Sequence, residues 1–140
     1  MWKHPTLTAG LVAASLLAAG VVAAGPVLAQ SFEAGHAHGS QKGPHGGVME
    51  DIAGVHAEIE VSGTTLTVHV LDGAGKGLDA TGYSGSALLA SGGARQTLQL
   101  KPAGETLVGE AGAPIAPGTT VTLLIKTAAG KSGQAKFTTR

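Results

Sequence analysis

The chain contains no cysteine. That removes disulfide bridges, thiolate zinc sites and iron–sulfur clusters from consideration. Aromatic residues are 3% of the 140 residues, and beyond Trp2 they are Phe32, Tyr83 and Phe137. Rings for stacking nucleic-acid bases are therefore lacking, and any core must be built from Val, Leu, Ile and Ala. Charge is sparse as well, at 13%, with nine basic residues against nine acidic ones. A chain so balanced overall has no excess of positive charge to bind nucleic acid.

What the sequence does have is glycine, 23 residues of it, and histidine in one region. Five of the six histidines lie between His36 and His69. Before them, Lys3 and His4 precede an apolar run from Leu7 to Ala24, then Pro26 and Val27-Leu28-Ala29. This order is that of a secretory signal cleaved before Gln30. No Arg-Arg pair supports twin-arginine export, and no Cys follows the run to carry a lipid. The competing reading is an uncleaved membrane anchor, since Leu7 to Leu28 matches the roughly 20 apolar residues a span needs. On either reading the remainder faces a compartment outside the cytosol.

Cleavage leaves about 110 residues, enough for one domain. Residues 30–46 lack periodicity and are expected to be a flexible His/Gly-rich leader. Between residues 47 and 140, short runs carry apolar side chains at every second position. Val55, Ala57, Ile59 and Val61 alternate with His56, Glu58 and Glu60; Leu66, Val68 and Val70 alternate with Thr67 and His69. The same period marks residues 97–101, 120–126 and 135–138, and more weakly 86–90 and 106–110. Gly-rich turns separate these runs. The expectation is an all-β fold: a small antiparallel β-sandwich or barrel of about seven strands.

Imidazole is the commonest protein ligand for zinc, copper and nickel. His36, His38 and His45 lie in a glycine-rich stretch of ten residues, a composition suited to metal capture. A hairpin through Gly63-Thr64 would pair position 61 with 66 and Glu58 with His69, leaving His56 one diagonal step away. Two imidazoles and a carboxylate would then share an exposed sheet face. The expected metal ligands are thus His36, His38, His45, His56, Glu58 and His69, holding a divalent transition metal, copper or zinc. The alternative for the strand-borne trio is a polar outer face whose Glu–His pair simply stabilises the hairpin. Gly73-Ala74-Gly75-Lys76-Gly77 does not meet the spacing of a phosphate loop and reads as a turn. No Gly-x-Ser-x-Gly elbow or spaced acid pair suggests catalysis, so the protein is not expected to be an enzyme.

Gly43-Pro44-His45-Gly46-Gly47, then Asp51, His56-Ala57-Glu58, Leu66-Thr67-Val68 and Asp72…Gly75-Lys76, resembles a group of small exported proteins. They accompany heavy-metal efflux systems of the resistance–nodulation–division type in Gram-negative bacteria. A similar Gly-Pro-His-Gly-Gly segment occurs in some periplasmic adaptor subunits of those pumps. The resemblance runs from about Gly43 to the end of the chain. It implies a periplasmic β-domain that handles metal, with His45, His56 and Glu58 at matching positions and an efflux adaptor or pump as partner. The coiled-coil hairpin and lipoyl-like half motif of an adaptor are missing. The expected function is a metal buffer or carrier; the alternative is a structural module that docks on an adaptor or another envelope partner. pH sensing by the His–Glu neighbours is a third reading.

Overall fold

The computed structural model describes residues 41–140. The signal segment, His36 and His38 lie outside the described residues. Among the described residues there are nine strands and no helix. They are β1 (Gln41–Lys42), β2 (Val48–Ile52), β3 (Val55–Ser62), β4 (Thr65–Leu71), β5 (Ser84–Ser91), β6 (Ala94–Ala103), β7 (Thr106–Glu110), β8 (Thr120–Lys126) and β9 (Ser132–Thr138). Every pairing is antiparallel, in the order β1-β2-β3-β4-β7-β6-β5-β8-β9. The all-β architecture expected from the alternation is present, with two strands, β1 and β2, added to the expected set. Residues 41–46, assigned to the leader from sequence, belong to the sheet and its first turn.

β6 is the strand on which the sheet turns over. Residues 94–100 pair with β5, while Lys101, Pro102 and Ala103 pair with β7. The two halves therefore curl toward one another and enclose an aliphatic core. Leu66, Val68, Val70 and Leu107 come from one half; Leu98, Leu100, Val121, Leu123, Ile125 and Phe137 come from the other. These are the every-second residues of their strands, as a half-buried sheet requires. On the far side β9 closes against the turn after β2. A Cβ at Gly133 would stand 2.7 Å from the Ala53 amide nitrogen, so only glycine admits that approach.

The hairpin between β3 and β4 has the register the sequence implies: Val61 pairs with Leu66, and Glu58 with His69. β2 adds Asp51 opposite His56 and Met49 opposite Glu58. The outer face of β2, β3 and β4 thus collects the carboxylates and histidines.

Candidate functional site

Gly43-Pro44-His45-Gly46 is a tight turn linking β1 to β2. The Gly46 amide donates to the Gly43 carbonyl at 3.0 Å, and the Gly43 amide donates to the Gly47 carbonyl at 3.0 Å. Proline at the second turn position presets its φ, and Gly46 adopts φ +91°, the left-handed region that such hairpin loops require. This turn folds down onto Glu58. The His45 amide donates to Glu58 Oε1 at 2.9 Å and Oε2 at 3.2 Å, and the Gly47 amide donates to Oε1 at 2.7 Å. The His45 ring completes the set, with Nδ1 2.8 Å from Oε2.

Two glycines make that closeness feasible. A Cβ at Gly43 would stand 2.2 Å from Glu58 Cδ, and one at Gly47 would stand 2.3 Å from the Ile59 carbonyl oxygen. Glu58 is consequently 0% exposed, where the alternation expects it on an open sheet face. The correction has a plain cause: the turn covers the carboxylate, and backbone amides plus one imidazole replace its water. Burial by itself raises the Glu58 pKa. The hydrogen bonds from the His45 ring, the Gly47 amide and the His45 amide outweigh it and hold the group below its ordinary range.

An ionised carboxylate only accepts, so its partner nitrogen on His45 carries the hydrogen. In the neutral ring the lone pair then sits on Nε2, on a side chain that is 44% exposed. A hollow of about 240 Å³ lies beside it, lined in part by Gly46, Glu60, Phe137 and Arg140. The other two described histidines repeat the arrangement. His69 Nε2 lies 2.7 Å from Glu60 Oε2, and His56 Nδ1 contacts Asp51. Each leaves one ring nitrogen outside its carboxylate pairing. Carboxylates that fix a histidine tautomer in this way are the common outer partners of metal-binding imidazoles.

The expected convergence of His56, Glu58 and His69 does not occur. Glu58 spends both oxygens on the turn, so His69 turns to the diagonal neighbour Glu60 and His56 to its cross-strand partner Asp51. His45, carried back by the turn, reaches His69 rather than His56. Their rings stack with centroids 3.8 Å apart and planes 9° from parallel. A metal ion sits close to the plane of an imidazole that binds it, about 2.0–2.1 Å from the nitrogen for zinc. Two parallel planes so far apart share no such point, and the stacked pair as placed does not chelate one ion. Among the described residues no group of three or more His, Cys, Asp or Glu is arranged to hold a metal. Sequence reasoning named neither Asp51 nor Glu60 as a histidine partner. The signal for Asp51 was available, since a hairpin through Ala53-Gly54 pairs it with His56.

No protein-family model matches this chain, and comparison with curated proteins and with solved structures finds no match.

Proposed function

We propose that the chain is an exported, non-enzymatic protein that captures a divalent transition metal, copper or zinc, through imidazole. It serves in the periplasm as a buffer or carrier beside a heavy-metal efflux system, with an adaptor or pump as partner. The observation that carries this reading is the Glu58 carboxylate on His45 Nδ1, which leaves Nε2 presented as a lone-pair donor. Glu58 is then an orienting group and not a ligand. His36 and His38, seven or more residues up the chain from His45, supply the further imidazoles. His56 and His69, each with one ring nitrogen held by a carboxylate, form a second set of donors. Imidazole donors without thiolate suit copper above zinc in the Irving–Williams order.

Calorimetric titration of the processed chain with Cu(II) and Zn(II) tests the reading. His45→Ala is expected to weaken binding at least about tenfold, and Glu58→Gln about 10–100-fold, as removal of an outer partner does. Binding weaker than about millimolar, near −4 kcal/mol, or binding unchanged in His45→Ala, overturns it.

A further inference from the structure

The charge that balances overall is not mixed along the chain. Between Asp79 and Glu105, and again from Ala111 to Arg140, there are six Lys and Arg residues and no Asp or Glu. Those stretches hold β5, β6, β8 and β9, which apart from the Lys101–Ala103 end of β6 make up the half of the sheet beyond the bend. Val121, Leu123 and Ile125 of β8 are buried, so Thr122, Leu124 and Lys126 point outward. The register extends that outer face across the neighbouring strands. Lys126 stands between Ser84 and Ser132, and Leu124 between Ser86 and Gln134. Lys136 lies beside Thr122 at the β9 edge, where it shares a hollow with Glu50 of β2, Arg95 lies beside Ala90, and Lys101 one step past the end of the β5–β6 pairing.

The result is a sheet face of mainly hydroxyl and amide side chains, with half-buried Leu88 among them and four cations around it. Leu124, 45% exposed, stands among them as the exposed large apolar residue of the described chain. A hollow of about 270 Å³ lined in part by Ser84, Gln99, Leu124 and Lys126 lies on this face. The carboxylates on the other half are largely engaged: Glu58, Glu60 and Asp51 with histidines, Glu110 with Thr64 and Thr65, Asp72 with its own loop amides. A second copy of this chain would bring the same engaged acids. The complementary charge comes from a different surface.

We propose that this face docks the protein on a membrane surface bearing anionic headgroups. Faces that recognise proteins favour Trp, Tyr and Arg anchors and are poor in Lys and Ser. Here Lys, Ser, Thr and Gln predominate, aromatic side chains are lacking, and Arg95 is the single Arg. Four strands of about seven residues span roughly 19 by 23 Å. Such a surface matches a diffuse anionic plane, which is recognised by charge and needs no deep pocket. Leu124 adds an apolar contact at its middle.

Co-sedimentation with vesicles decides the matter. One set is phosphatidylcholine alone; the other carries about 30% phosphatidylglycerol, a strongly anionic surface. The processed chain is expected to bind the anionic vesicles and to be released as salt rises toward about 1 M, where the Debye length falls to about 3 Å. If the apolar stretch from Leu7 to Leu28 were retained it would bind both sets alike, so the difference between them is the readout. Lys126→Gln with Lys136→Gln is expected to weaken binding to the anionic set about 30-fold, since each such cation contributes about fivefold. Lys76→Gln, on the acidic half, is expected to leave it unchanged. All three positions are at the surface, and circular dichroism confirms the fold of each variant. Equal binding to both vesicle sets overturns the proposal. So does an unaffected Lys126→Gln/Lys136→Gln chain, or capture by immobilised polyglutamate with no binding to vesicles.

Discussion

Glu58 is the residue around which the site is organised. Its carboxylate accepts from two backbone amides and one imidazole while fully buried, and its pKa is held below the ordinary carboxylate range. A carboxyl with a depressed folded pKa stabilises the fold above its unfolded value and loses that contribution as pH falls through the folded one. Glu58→Gln removes the charge and misdirects an amide N–H at the same donors, at a cost of about 1–3 kcal/mol. Urea denaturation is expected to show that cost near neutral pH. The gap between the two chains then narrows as the medium is acidified below the ordinary glutamate range. A gap that is constant with pH would assign the effect to packing instead. Glu58 was legible as a partner of His69 by register. Its burial was not, because the covering segment is remote from it in sequence and reads as a ligand-rich leader.

The element that does the covering is the Gly43–Gly47 turn. From sequence it falls at the end of a flexible His/Gly-rich leader. In the fold, its glycines and proline each have a steric duty: Pro44 and Gly46 set the turn, while Gly43 and Gly47 let it lie against Glu58 and Ile59. Gly47→Ala drives a Cβ into the Ile59 carbonyl, a backbone atom that cannot swing aside, and is expected to cost about 1–3 kcal/mol. Gly46→Ala meets nothing closer than 3.8 Å and bears only the strain of positive φ, about 1–2 kcal/mol. Thermal melts of the two variants should rank Gly47→Ala as the less stable; the reverse order would mean that the turn does not seat as described. The β3–β4 hairpin was readable residue by residue, since clean alternation on both sides of Gly63-Thr64 leaves one register. β2 was not, since Glu50 shares the face of Val48 and Ile52, opposite buried Ala57, and breaks the apolar period.

At the scale of the whole molecule, one curled sheet presents two unlike outer surfaces. The β2–β4 side gathers histidines and carboxylates, and the side formed by β5, β6, β8 and β9 gathers Lys and Arg. Composition gave no sign of this, because zero net charge hides where each sign falls. On the two proposals above, this division would place cation capture on one side and an anionic plane against the other. The proposed metal site stands or falls with the state of His45. Long-range ¹H–¹⁵N spectra of the processed chain, recorded at neutral pH before and during addition of Zn(II), read that state directly. The expected result is a His45 ring with hydrogen on Nδ1 and a bare Nε2, whose nitrogen signal is the one that moves as metal is added. A His45 ring with hydrogen on Nε2, or a Nε2 signal that stays in place while zinc binds elsewhere, would contradict it.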